Sequence, residues 1–270
     1  MRSAFAIHCQ NVTLRHGTQT ILQQVGLKIK LGEFIGVLGP NGAGKTSLMR
    51  AILGLIPVST GRIDVFGAAI TKGNTCISYL PQTRTTIQNC SIAGRELIAA
   101  AIDGHRFGFH FCRFGKAYQL RQQKIDEALS AVDALNLAQR SINTLSGGER
   151  QRLLLAQCLI GQPRILLLDE PLLSLDPAQQ HHVVHLVKNL CRTHGLTVLF
   201  SAHELNPLIG ALDRVLYLGQ KQAAIGTLAE VMTSDVLSRL YGAPIEVIRL
   251  NGQYLVMSGG HLMEQEHHCI

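Results

Sequence analysis

The chain is 270 residues long, 46% hydrophobic, and carries 25 Lys and Arg against 18 Asp and Glu, a formal net charge of +7. That length and apolar content suffice for one large or two ordinary α/β units with a buried core, and the charge admits nucleotides, nucleic acid or an acidic membrane face as partners. No transmembrane helix is expected, because "LLLAQCLIGQ" and "RILLLDEPLL" are interrupted by Gln, Arg, Asp and Glu well short of about 18 residues.

The opening "MRSAFAIHCQNVTLRHG" has too brief an apolar stretch for a secretory signal, so a cytosolic chain is expected. The β-prone runs "FAIHC" and "LKIKL" predict a small amino-terminal antiparallel portion. "FIGVLG" then runs into the glycine-rich "GPNGAGKT" and the helical pattern "KTSLMRAILGL": strand, loop, helix. Later, "CISYL", "RILLLDE" and "TVLFSAH" are continuously apolar rather than alternating, which suits parallel strands covered on both faces. Residues 92–102, 118–136, 148–160 and 178–192 place apolar residues at helical spacing, and three of these segments fall between "CISYL" and "RILLLDE". The pattern predicts a doubly wound α/β core with a helical subdomain inserted at about residues 84–160.

Past residue 242, "IEVIRL" and "QYLVMS" flank Asn251-Gly252, a two-residue hairpin signal. The expected division is 1–242 for the main unit and 243–270 for a β hairpin with a flexible tail, "GGHLMEQEHHCI". Seven cysteines (Cys9, Cys76, Cys90, Cys112, Cys158, Cys191, Cys269), scattered and without a C-x-x-C pair, read as reduced and mostly buried.

"GPNGAGKT" fits G-x-x-x-x-G-K-[ST] in the strand-loop-helix setting that this phosphate-binding pattern needs. Gly39, Pro40, Asn41, Gly42, Ala43 and Gly44 supply backbone that can wrap phosphates, Lys45 reaches the β and γ phosphates, and Thr46 with the adjoining Ser47 opens the helix, Thr46 as a magnesium ligand. The buried strand in "RILLLDEP" ends in two acids. Asp169 can hold the metal, while Glu170, free of it, is the best general-base candidate.

"LSGGERQR" at residues 145–152 resembles the signature of the ATP-binding cassette family, and the family's other motifs stand in their usual order. Gln82 in "YLPQ" resembles the Q-loop, a contact for metal or water; Asp176 in "SLDP" resembles the D-loop, and His203 in "FSAHE" the switch histidine. Ser146, Gly147 and Gly148 read as a helix start whose unpaired N–H groups and hydroxyl form a second anion site. The resemblance implies a P-loop ATPase of the cassette type using ATP and Mg²⁺. It further implies a head-to-tail dimer with a second copy, each signature closing on the γ phosphate held by the other. Three positions depart from the family's usage: His16 where an aromatic ring stacks on adenine, Glu149 for Gln in the signature, and Glu204 for Asp after the histidine.

Residues 104–125 hold Arg106, Arg113, Lys116, Arg121 and Lys124 among Phe107, Phe109, Phe111, Phe114 and Tyr118, with no acid. Such interleaving can stack on single-stranded nucleic acid, but in this family the segment belongs to the part that meets membrane partners, so integral-membrane permease subunits are expected and nucleic acid is not. "HELNPLIGALDRVLYLG" and the following "IGTLAEVMTSDVLSRLYGAPIEVIRLNG" resemble the ATPase subunits of bacterial manganese/zinc importers, and more loosely those of iron-siderophore and haem importers. That implies a peripheral protein on the cytoplasmic face of the membrane, working indirectly with a separate substrate-binding protein. The runner-up is a soluble cassette ATPase acting on ribosomes or DNA. His181 and His185 stand four apart on a predicted helix, and His261, His267, His268 and Cys269 cluster at the end, both weak metal signals for want of further ligands.

Overall fold

The computed structural model describes residues 4–82, 91–103, 115–258 and 261–262. It opens with β1 (Phe5–His16) and β2 (Gln19–Lys30), an antiparallel pair of twelve-residue strands, so "FAIHC" and "LKIKL" are the far ends of longer elements. Then come β3 (Phe34–Leu38), α1 (Lys45–Ile52), β4 (Thr60–Val65), β5 (Ala68–Ala69) and β6 (Ile77–Leu80). Three helices follow, α2 (Gly94–Asp103), α3 (Lys116–Ala131) and α4 (Gly147–Leu159), before β7 (Ile165–Leu168), α5 (Pro177–His194), β8 (Thr197–Ser201), β9 (Arg214–Gly219) and β10 (Gln222–Gly226). The last elements are α6 (Leu228–Val231), α7 (Ser234–Tyr241), β11 (Ile245–Leu250), β12 (Gln253–Ser258) and β13 (His261–Leu262).

The central sheet has the order β10-β9-β3-β8-β7-β6, parallel from β9 through β6, with β10 antiparallel at one edge. Its middle strands are buried on both faces, as their unbroken apolar runs require: every residue of β3, β7 and β8 is buried. Alternate residues feed two cores. Ile35, Val37, Ile165, Leu167 and Leu199 join α1 and the β2-β1-β4-β5 antiparallel sheet on one side. Phe34, Leu166, Leu168, Val198 and Phe200 meet the helices on the other. There the Phe34 and Phe200 rings stack at 5.7 Å, adding about 0.5–1.5 kcal/mol to the area they bury.

The four helices lie where the periodicity puts them, with one boundary corrected. The segment expected over 118–136 stops as a helix at Ala131, because Asp133 turns left-handed at φ 53°. Ala134 N–H then bonds Leu129 O at 2.9 Å and Asp133 N–H bonds Ser130 O at 3.2 Å, a Schellman stop in which Asp does the work usually given to Gly. The carboxy-terminal hairpin forms as expected, with Asn251 at φ 50° and Gly252 at φ 82° in its turn. Within the expected tail, β13 pairs with β12; residues 259–260 and 263–270, with His267, His268 and Cys269, lie outside the described residues. So do Arg106, Arg113 and the four phenylalanines of the 104–114 stretch, while Lys116, Tyr118, Arg121 and Lys124 sit on α3.

Ile245, Tyr254 and Val256 pack into the larger core. Asn206 ties this end down further: its Nδ2 donates to Tyr254 O at 3.2 Å and its Oδ1 accepts from Tyr254 N–H at 3.0 Å.

Candidate functional site

The loop between β3 and α1 is shaped by close approach. Gly39 has φ 137°, and a Cβ there would lie 2.1 Å from Leu218 O, so only glycine lets the loop leave β3 beside β9. Gly44 at φ 98° launches α1, whose first turn has no side-chain cap and no acid. Its amino-terminal end is therefore an open anion cradle. Lys45 is nearly buried and its Nζ donates to Gly39 O at 2.7 Å and Pro40 O at 3.3 Å, holding the ammonium across the loop. Burial lowers its pKa from 10.5, opposed by the carboxylates of Glu170 and Asp169. A cavity of about 570 Å³ opens over the loop, lined by residues 40–47 together with His16, Ile21, Glu170 and Lys221.

The two acids after β7 are held quite differently. Asp169 is 1% exposed and accepts three hydroxyl bonds: Thr46 Oγ1 at 2.7 Å and Tyr79 OH at 3.1 Å on Oδ2, Ser201 Oγ at 2.9 Å on Oδ1. Burial, and then the carboxylate itself, push the Tyr79 phenol up to about 12, so it stays a donor. Glu170 takes a left-handed φ of 51°, a conformation costing a non-glycine residue of order 1 kcal/mol, and its N–H is fixed on Ser201 Oγ at 2.8 Å. Its carboxylate is gripped on both oxygens: Gln82 Nε2 donates to Oε2, and His203 Nε2 lies 2.8 Å from Oε1. One carboxylate thus faces inward on hydroxyls, and the other reaches the cavity.

The turn at Ser146 is better satisfied than its composition suggests. Ser146 caps α4, its Oγ accepting from Glu149 N–H at 3.2 Å while Glu149 Oε2 accepts from Ser146 N–H at 2.9 Å. Gly148 N–H donates to Gln179 Oε1 at 2.9 Å. The expectation of unpaired N–H groups at Ser146, Gly147 and Gly148 is corrected for Ser146 and Gly148: the Glu149 carboxylate and a side chain from α5 occupy them. The Ser146 amide, backbone hydrogen-bonded to the Glu149 carboxylate, chiefly lowers that acid's pKa, with Arg140 Nη1 at 2.6 Å assisting. Asp176 caps α5 through Gln179 N–H at 2.9 Å.

The fold therefore links Thr46, Asp169, Glu170, Gln82 and His203 through hydrogen bonds bridged by Ser201, puts Lys45 and His16 on the cavity wall, and leaves Ser146, Gly147, Gly148 and Asp176 off that wall. Tyr79, Ser201 and Gln179 carry no signal in the sequence, because a lone polar residue in or beside an apolar run makes no motif. His181 and His185 are exposed on α5, and no group of three His, Cys, Asp or Glu able to hold a metal occurs among the described residues. Among those residues no helix is long and apolar enough to cross a membrane.

Comparison with known proteins places this geometry. The family model described as ABC transporter matches residues 22–173. The zinc transport system ATP-binding protein TroB of Treponema pallidum (strain Nichols) is 31% identical over 90% of this chain and 89% of its own length. The hemin import ATP-binding protein HmuV of Pseudomonas aeruginosa is 34% identical over 90% of this chain and 95% of its own. Among solved structures, an inward-facing conformation of a putative metal-chelate type ABC transporter superposes with TM-score 0.76 at 25% identity, covering 93% of this chain and 96% of that one.

Proposed function

The chain belongs to the ATP-binding cassette transporter family and is an ATP-hydrolysing enzyme, and from that premise we propose that it powers an importer for zinc or manganese. It would act as a peripheral subunit on the cytoplasmic face of a bacterial membrane, against integral-membrane permease subunits that a substrate-binding protein loads. The zinc relative and the metal-chelate neighbour support the metal reading. A haem cargo is the second reading, favoured by the 34% identity to the hemin import protein.

The observation that carries the catalytic assignment is Glu170. Its carboxylate reaches the phosphate cavity while bonded to Gln82 and His203, and it accepts nothing from Thr46, which bonds Asp169 instead. A carboxylate so placed takes the proton of the attacking water, while His203 holds it and meets the γ phosphate. Lys45 and the bare amino-terminal end of α1 bind the β and γ phosphates, and Gly39 to Gly44 with Ser47 wrap them. His16 stacks on adenine from the cavity wall.

Magnesium fits the donor set. Thr46 gives its proton to Asp169, so its oxygen lone pairs remain for a hard cation, which Asp169 and Gln82 would help to hold. Bound there, the ion would offset the charge that builds on the transferring phosphoryl group. Two copies would close head to tail, Ser146, Gly147 and Gly148 of one meeting the γ phosphate held by the other, with Asp176 alongside. Glu170→Gln should cut phosphate release by about 10²–10⁴-fold while ATP binding persists and the stalled chain dimerises. Unchanged turnover would refute the base, and a stalled chain that stays monomeric at saturating ATP would refute the dimer. Uptake of labelled zinc, manganese and haem in cells with and without the protein separates the cargo readings.

A further inference from the structure

Gln179 stands between the signature turn and the D-loop. Its Oε1 takes the Gly148 N–H at 2.9 Å, and its backbone N–H donates to the capping Asp176 Oδ1 at 2.9 Å. The contact is close along the whole turn: a Cβ on Gly148 would meet Gln179 Oε1 at 3.0 Å and Cδ at 3.2 Å, and one on Gly147 would meet Leu175 Cδ2 at 2.9 Å. A backbone N–H donates well to one partner at a time. A carboxamide oxygen at 2.9 Å and a phosphate oxygen cannot both hold it in strong geometry.

We propose that Gln179 is a placeholder for the γ phosphate: its carboxamide satisfies Gly148 N–H while the subunits are apart and must withdraw before the signature can close on nucleotide, so it sets the ATP concentration at which the dimer forms. The inference rests on the head-to-tail reading above, because only there does a phosphate reach Gly148. The Ser146 hydroxyl keeps its proton to give, since in the capping box it acts as acceptor. Gly148 N–H is the donor that must change partners.

The sign follows from hydrogen-bond exchange. Gln179→Ala leaves Gly148 N–H to water, which yields to phosphate at less cost. Gln179→Glu puts a charged acceptor, stronger than the amide, on the same N–H and opposes the incoming anion. In a Glu170→Gln background, the ATP concentration giving half-maximal dimer, read by light scattering, should fall several-fold with Gln179→Ala and rise several-fold with Gln179→Glu. Amide hydrogen exchange at Gly148 in the nucleotide-free monomer should quicken in Gln179→Ala, with circular dichroism checking that each variant is folded. Half-maximal concentrations that do not move, or that move in the same direction in both variants, overturn the placeholder while leaving the dimer intact. A Glu170→Gln parent that never dimerises overturns both.

Discussion

Ser201 is fully buried and serves both acids at once, so its hydroxyl is the most informative group to remove. In Ser201→Ala, Asp169 Oδ1 loses a donor at 2.9 Å and the Glu170 N–H loses its acceptor at 2.8 Å. A hydrogen bond to a charged group contributes about 1.5–3 kcal/mol, and stranding a buried donor costs about 1–3 kcal/mol. Both losses fall on one side chain and are not additive, so the expected destabilisation is about 2–4 kcal/mol. Urea unfolding followed by circular dichroism should show that loss as a lower midpoint at unchanged slope, and the melting temperature should fall by roughly 5–15 °C. ATP turnover should drop further than stability does, because the left-handed Glu170 backbone is released from its anchor. Destabilisation below about 0.5 kcal/mol, within what an ordinary surface change produces, would refute the claim that Ser201 braces the acidic pair.

Lys45→Met should leave the nucleotide-free protein at least as stable as the wild type while abolishing the rise in melting temperature that ATP produces, since burial disfavours the ammonium and only phosphate rewards it. With the folded pKa of Lys45 below 10.5, the unfolded chain binds the extra proton; stability should therefore rise with pH on the alkaline approach to 10.5, and Lys45→Met should lose that slope. Arg140→Ala should weaken ATP-driven dimerisation by exposing the Glu149 charge at the signature. Because the Glu149 pKa is depressed, its contribution is present above 4.5 and lost as pH falls below it, and the variant should show a shallower acid transition. Iodoacetamide at pH 8 should modify Cys76 ahead of Cys9, Cys158 and Cys191 in the folded protein: all three are buried, and burial pushes the Cys9 thiol to about 12 and the Cys158 thiol to about 11. Peptide mass mapping before and after denaturation reads this directly.

The legible parts of the chain are those where a single local rule decides. β3, β7 and β8 are unbroken apolar runs ending in Gly, Asp or Ser, and a strand buried on both faces has no other composition open to it. Asn251-Gly252 reads as a turn because both positions need positive φ. What stayed hidden depends on distant partners. Tyr79 and Ser201 find Asp169 from 90 and 32 residues away, and Gln179 finds Gly148 from 31 away, so nothing in their own neighbourhoods marks them. β9 and β10 are joined through Gln220 and Lys221, both at positive φ, where glycine or asparagine would have announced the hairpin. Gln82 and His203 are legible only as members of an ordered series, since each alone is an ordinary polar residue until Glu170 is seen between them.

The Asn206 carboxamide lies against Tyr254 as though it were one more peptide unit in the sheet. Anyone building chimaeras from this protein inherits that splice. An exchange of everything beyond residue 242 for the ending of a relative would cut through the larger core at Ile245, Tyr254 and Val256 and leave the carboxamide three residues past His203 facing a mismatched edge. A workable junction must carry Asn206 and β12 together from the same parent, which makes the histidine loop and the chain's last sheet a single unit of exchange.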